Sequence, residues 1–440
     1  MRKKTAILAG VLLIASCTLF AQAKQTKINI DFNGVDSPFT LSTLETSISV
    51  KPQSTTITLD IKYPQYVKMA RTNIAEYIYV CPGDEINMKV TGKARGEVTF
   101  TGSNAKINTF LADVENSPRV TGIGGEEKDF IDRLTKNVEA TTLRLKSHSF
   151  DDNFTKIEQK RIWSKIYTSL VSYPSLRKRT DRSYRPSEYF YNFVKSVTFE
   201  QADLLILDEY KSLLEYLVQL YAIKDILKYD AYEYSITTLN YVVNNIKDPA
   251  VKRYLVNYYA YDYLKRHGTE KIEKISDIFY KVVTDSKEIK RYNETVETWS
   301  KIAKGTKIQE YEFHDIDGKS VMLSSFMGKY VYIDMWATWC KPCIAEIPHL
   351  KKLEHALEGA NIVFVSISTD KDAVAWKNMV VKDEMKGVQL HARKRDFSND
   401  FLVVSIPRFI LLDPQGRVVE HNMLRPSNAQ TLPYLQLLLK

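Results

Sequence analysis

Cysteine is scarce in this chain, with four residues in 440. So few cannot build the disulfide framework of a stapled secreted scaffold, so these cysteines read as specialised. A second CxxC is missing, and so is a histidine pair on one helical face, since His349 and His355 stand six apart. The ligand set of a structural zinc site is therefore incomplete, and no metal is expected. Beyond the N-terminal segment no run of eighteen uncharged apolar residues occurs, so no later spanning helix is expected. The stretch Gly122-Ile123-Gly124-Gly125 lacks the following lysine and hydroxyl of a phosphate loop and reads as a linker. Charge bias is modest too. The formal charge of +9 falls to +6 without Arg2, Lys3 and Lys4, and no nucleic-acid partner is expected.

What is present is an ordinary core-forming composition, 44% hydrophobic and 11% aromatic, over a length that exceeds one hydrophobic core. A multidomain fold is expected. The opening MRKKTAILAGVLLIASCTLFAQA has basic residues, a short apolar run and the small-residue signal AQA, and reads as a secretory signal peptide over residues 1–23, cleaved before Lys24. Ile14-Ala15-Ser16-Cys17 also fits a lipobox, in which case Cys17 carries a lipid anchor. Either route takes the product out of the cytoplasm, to a periplasmic location or to a membrane surface.

Three grammars follow one another. Residues 24–102 alternate, as in TKINIDF, STTITLDI and EINMKV, with turn residues between runs, which predicts an antiparallel, β-sandwich-like domain. Residues 103–303 show helical periodicity, as in KDFIDRLTKNVEATTLRL and VKRYLVNYYAYDYLKRHG, and form a helical middle region. Within it the tract LRKRTDRSYR reads as a solvated loop, and Tyr254, Tyr258, Tyr259 and Tyr261 as core lining. Residues 304–440 alternate strand-like runs (KYVYIDMW, ANIVFVSIS, PRFILLD) with helical ones, an α/β layout closed by a hairpin turning at Asp413 to Gly416.

The chemistry concentrates in DMWATWCKPCIAEIP, Asp334 to Pro348. Closing Cys340 to Cys343 as a staple stabilises by only about 2 kcal/mol, against about 4.7 for a hundred-residue loop. A reactive couple accounts for the neighbours better. Pro342 suits a first helical turn, so Cys340 falls at a helix N-terminus where amides lack partners. That position is worth about 0.3 to 2 kcal/mol to a negative charge, and one pKa unit is about 1.4, so a thiolate near neutral pH is expected at Cys340. Cys343, one turn inside, is expected to be buried and to act later as the resolving thiol. Asp334 interrupts an apolar strand. If buried, it suits proton transfer from Cys343; if at a strand end, it is merely solvated.

The segment resembles the active site of thioredoxins, and more closely the exported TlpA/ResA-like branch, over about Lys304 to the C-terminus. The resemblance implies a thioredoxin fold, a redox-active Cys340–Cys343 disulfide, thiol-disulfide exchange with no cofactor, client proteins carrying disulfides, and a membrane thiol-disulfide electron donor. It implies a buried aspartate at Asp334 and a glutamate beside the site at Glu346, both as catalytic residues that help Cys343 resolve the mixed disulfide; the plain alternative for Glu346 is a solvated helix face. In SIPRF it implies a cis peptide between Ile406 and Pro407 opposite the cysteines, with Ile406 pairing an extended client and Trp339 bordering the same surface. Lys341 departs from the glycine usual in thioredoxins. The phrase VCPGDEINM resembles the β domain that precedes such modules in Bacteroides-group proteins; Cys81 within it reads as a small buried residue.

The expected function is that of an exported reductase of client disulfides. The alternatives are an oxidase or isomerase with the same residues, and a client-binding protein in which the thioredoxin module only docks. A peroxiredoxin is disfavoured because PxxxTxxC is absent, Thr338 standing two residues before Cys340.

Overall fold

The structure, a computed structural model, describes residues 23–33, 38–43, 46–71, 74–91, 98–116, 125–196, 199–222 and 230–440. The signal segment, Cys17 and Gly122 to Gly124 lie outside the described residues. The chain divides into two compact units, residues 1–198 with 203–216, and residues 199–202 with 217–440. The helices expected as one region over 103–303 are thus shared between the units.

The first unit begins with eight strands: β1 (Lys24–Phe32), β2 (Phe39–Ser42), β3 (Ser47–Val50), β4 (Thr55–Ile61), β5 (Gln65–Arg71), β6 (Ile74–Val80), β7 (Glu85–Val90) and β8 (Val98–Gly102). They form two four-stranded sheets, ordered β4-β1-β7-β8 and β3-β2-β5-β6. Alternate residues such as Ile28 and Ile30, Val67 and Met69, Ile86 and Met88 turn inward and build one core. The expectation of an antiparallel domain needs one correction. β1 pairs antiparallel with β4 but parallel with β7, from Lys27 opposite Glu85 to Phe32 opposite Val90. Strands so far apart in sequence are joined by a connection long enough to cross over, which a tight hairpin cannot do.

Helices α1 (Ala105–Asn116), α2 (Glu127–Ser147), α3 (Asp152–Thr180) and α4 (Glu188–Ser196) follow in this unit, and the division between the units runs through α5 (Asp208–Ala222). The tract LRKRTDRSYR is not one loop: Leu176 to Thr180 complete α3, and Asp181 ends it. Three cations in that last turn sit favourably at the negative end of the helix dipole. Inside the unit, Arg161 on α3 is fully buried. Its guanidinium donates to both oxygens of Glu158 (2.8 and 2.9 Å) and to Glu209 (2.7 Å), and lies over the rings of Tyr66 and Tyr77. The Tyr66 hydroxyl donates to Glu158 as well, at 2.7 Å.

The second unit carries α6 (Ala231–Asn245), α7 (Pro249–His267), α8 (Ile272–Val282) and α9 (Ser286–Ser300). Asp230, Asp248 and Asp285 cap three of these by accepting amides of the first turn. Tyr259 is buried in α7, whereas Tyr254, Tyr258 and Tyr261 are only half-buried. Gly268 ends α7 with φ +61°, and a side chain there would press on His421, which also packs edge-on against Trp299.

The rest of this unit is an α/β layer: β9 (Glu312–His314), β10 (Ser320–Met322), β11 (Tyr330–Trp336), α10 (Lys341–Ala356), β12 (Ile362–Ser368), α11 (Ala373–Lys382), β13 (Val388–His391), α12 (Asp396–Asp400), β14 (Arg408–Leu412), β15 (Val418–Glu420) and α13 (Thr431–Leu438). The seven strands run in the order β10-β9-β13-β12-β11-β14-β15, parallel from β11 through β13 and antiparallel at either side. The expected hairpin turns where Gly416 donates to the Asp413 carbonyl. β11 is central and buried along six of its seven residues, which explains its near-continuous apolar sequence. Its C-terminal end delivers the chain to the cysteines.

Candidate active site

Two local features set the cysteine pair. β11 ends at Trp336, and Pro342 sits in the first turn of α10. Cys340 is therefore the N-cap of α10, and its Sγ accepts the amide of Cys343 at 3.2 Å. Cys340 and Cys343 are joined by a disulfide, and both are buried among Trp336, Ala337, Trp376 and Val380, with Ile406 against them. Burial of Cys343 agrees with its place one turn inside the helix. Cys340, at the helix N-terminus as expected, is nearly as buried in the disulfide form. The exposed neighbour is Trp339, 69% accessible, directly before it.

Asp334 lies in the middle of the sheet, paired in register with Ser366 of β12 and Phe409 of β14. Its carboxyl is buried, and Oδ1 has no hydrogen-bond partner. A strand-end, solvated aspartate is thereby ruled out. Loss of water, with the charges of Glu346 and Glu354 adding to it, pushes its pKa up to about 8. Cys343, Glu346, Leu350 and Leu353 are all buried on α10, at spacings that share one face of the helix. Asp334 and this helix face thus belong to one electrostatic environment.

Glu346 is buried rather than solvated, but it is not unpaired. Oε2 accepts the amide of Ser427 at 2.9 Å and Oε1 accepts the Ser427 hydroxyl at 2.8 Å, with Arg425 at 4.0 Å. Burial also raises the carboxyl of Glu354, two turns further along α10, to about 7, against the opposing pull of Lys351 and Lys386. Above the cysteines the peptide between Ile406 and Pro407 is cis, and both residues are half-buried. Ile406, Trp339, Cys340 and Cys343 therefore gather at the C-terminal end of the parallel strands, whereas Glu346 faces the loop that follows β15. Cys81 is half-buried in the first unit, with its thiol raised by burial and by Asp84.

Sequence reasoning missed several members of this site. Asp370 holds the loop before Cys340 by accepting the Thr338 amide (2.9 Å) and hydroxyl (2.8 Å), together with the Ser368 hydroxyl. Trp376 of α11 walls the cysteines. Ser427 ties down Glu346, and the Tyr332 hydroxyl donates to the Leu424 carbonyl at 2.7 Å. The sequence signal for Asp370 was a polar residue two positions past a buried strand. Among the described residues no cluster of three or more His, Cys, Asp or Glu is placed to hold a metal, and no helix is long and apolar enough to cross a membrane.

Comparison with known proteins joins this geometry to a chemistry. Residues 303–432 match the Redoxin family. The thiol-disulfide oxidoreductase ResA of Bacillus thuringiensis is 26% identical over 132 residues, covering 30% of this chain and 76% of ResA. A solution structure of a Bacteroides vulgatus protein assigned as a thiol-disulfide oxidoreductase is 50% identical, covering 30% of this chain and 86% of that one (TM-score 0.29). A crystal structure of another from the same organism is 33% identical, covering 32% and 99% (TM-score 0.31). Residues 303–432, then, are those of a Redoxin-type, ResA-like thiol-disulfide oxidoreductase.

Proposed function

We propose that the protein is exported and reduces disulfides of client proteins through the Cys340–Cys343 couple. In the reduced state the Cys340 thiolate attacks one sulfur of a client disulfide. The client's own S–S bond breaks, its other sulfur leaves as a thiolate, and a mixed disulfide joins Cys340 to the client. Cys343, deprotonated, then attacks Cys340 Sγ, expelling the second client thiolate and forming the intramolecular disulfide. Two electrons pass from the protein to the client, and a membrane thiol-disulfide donor returns them. No organic cofactor takes part.

The observation that carries this reading is the pairing of a helix-capping sulfur with a buried carboxyl lacking a partner. Cys340 Sγ already accepts an amide of α10, an arrangement that favours negative charge there. Asp334, raised to about 8, takes the proton from Cys343 in the molecules where it is ionised, a fraction that grows as pH rises towards 8, and returns it when the couple is reduced again. Glu346, locked to Ser427, serves as a positioning residue that holds α10 to the loop after β15. Trp339 and Ile406 border the incoming client. Pro407, having no amide, leaves the backbone of Ile406 to pair with it.

Direction is set by potential. Couples of this type span about 150 mV, roughly 7 kcal/mol, with the same two cysteines. Equilibration with a glutathione buffer series measures it: a value near the reducing end of that span is expected, and one near the oxidising end overturns the reductase reading in favour of an oxidase. Export is tested by N-terminal analysis of protein recovered from cell-envelope fractions. A new terminus at Lys24 marks signal cleavage, a lipidated Cys17 marks an anchor, and a retained Met1 in the cytosolic fraction overturns export.

A further inference from the structure

A groove of about 1040 Å³ opens beside the cysteine pair, framed by Thr338 and Trp339 on one side and by the loops that follow β12 and β13 on the other. Its lining is of two kinds. Near the cysteines it is apolar, with Trp339, Val404 and Ile406; Val404 is 91% accessible, more than any other large apolar residue described. The loops that follow β12 and β13 add four cations to the lining, Lys371, Arg393, Lys394 and Arg395, all exposed. None of these four forms an ion pair within 4.0 Å among the described residues.

The two carboxylates of the lining, Asp370 and Asp372, offset only part of this charge and leave the lining net positive. Asp370 is buried and already accepts three hydrogen bonds, from Thr338 and Ser368. Asp372 caps α11, accepting the amides of Val374 and Ala375 at 2.9 and 3.1 Å. Outside the lining, Glu312 feels Arg393 and Lys394 but is held by the Ser320 hydroxyl. Four solvated cations against two carboxylates leave the lining with a net positive charge, beside the cysteine pair.

We propose that this groove selects its clients by charge. It takes an extended segment whose cysteine-proximal apolar side chain packs against Trp339 and Val404 while acidic residues beyond it lie on Lys371 and Arg393 to Arg395. The inference rests on the reading that Cys340 attacks client disulfides, and adds the substrate class: disulfides flanked by aspartate and glutamate. Exposed charges of this kind act over about a Debye length, roughly 10 Å at 0.1 M salt, so the preference is strongest in dilute buffer.

The test uses the full chain and two peptides that differ only in bearing three glutamates or three lysines beside a cysteine. Disulfide-linked forms report turnover, and serine-for-cysteine copies carrying a fluorophore report binding by anisotropy. The acidic copy is expected to bind about tenfold more tightly than the basic one in low salt, with the ratio collapsing towards unity near 1 M salt. In the Arg393→Glu/Lys394→Glu/Arg395→Glu variant the preference reverses, and that reversal itself shows the variant to be folded. Equal binding of both copies, or an acidic preference that survives the charge reversal, overturns the inference. Retention on phosphatidylglycerol vesicles without peptide preference also overturns it, assigning the cations to a membrane surface. If neither disulfide peptide is cleaved while the binding preference holds, the proposed chemistry fails and the groove stands. Equal cleavage with equal binding has the opposite meaning.

Discussion

Two buried carboxylates, one in each unit, stand in contrasting surroundings. Glu158 in the first unit receives three hydrogen bonds, two from Arg161 and one from Tyr66, so its charge is matched on every side the structure shows. Asp334 in the second unit is as well hidden, yet Oδ1 has no partner and its charged neighbours are other carboxylates. A satisfied buried charge holds structure together, and losing one partner is costly. A buried carboxyl left without partners stays protonated near neutrality, and its cost is tolerated where a proton has to move.

The sharpest way to break this contrast is pH. Asp334 has its folded pKa raised from 3.8 to about 8. Between these values the unfolded chain has released the proton that the folded one retains, so stability falls as pH rises from about 4 to about 8 and then levels off. The contribution is on the order of 5 kcal/mol, from about 1.4 kcal/mol per pKa unit. Asp334→Asn is expected to lose most of this slope and to unfold later than the wild type at pH 8.5; Glu354, raised to about 7, leaves a smaller residual slope. Thermal melts of both proteins across pH 4 to 9 check it, and parallel curves would remove Asp334 from the argument.

Next comes the satisfied partner. Arg161→Ala strands Glu158 and is expected to destabilise the first unit by about 3 to 5 kcal/mol, seen as earlier proteolysis of residues 24–196. Below the onset of unfolding the pH profile of disulfide exchange stays unchanged. A shifted profile would show that the two units are not independent in this respect.

The rate effect of Asp334→Asn follows. Loss of a proton acceptor for Cys343 is expected to slow resolution of the mixed disulfide by about 10²-fold, read by stopped-flow release of a labelled client peptide, and to flatten the rise of rate with pH towards about 8. Unchanged kinetics would reduce Asp334 to an unused relic of burial. The smallest effect belongs to Ser427→Ala. It removes the hydroxyl donated to Oε1 of the buried Glu346 while the backbone amide to Oε2 remains, costs about 1 to 3 kcal/mol of stability, and is expected to alter turnover less than Asp334→Asn does.

The same contrast bears on how far the sequence could be read. Cys340, Pro342 and Cys343 were legible because their chemistry is local: a CxxC with proline in the first turn states its own helix start. Asp334 was legible as an anomaly, an acid inside an apolar run. Partners that lie far away along the chain were not. Asp370 is 32 residues from Thr338, and Ser427 is 81 from Glu346, so nothing near either end announces the bond. The cations of the groove look like ordinary solvated lysines and arginines until the fold brings two loops beside Trp339. In the first unit, alternation told which residues turn inward but not strand direction, and the parallel pairing of β1 with β7 escaped for that reason.

Because Cys340 caps α10 as well as being the sulfur proposed to attack, every change in its bonding is felt by one backbone group, the amide of Cys343. As a thiolate the sulfur is a strong acceptor for that amide; bound to a client or to Cys343 it is a weak one. The nitrogen-15 resonance of a single residue therefore becomes a built-in gauge of how far each molecule has advanced through its cycle.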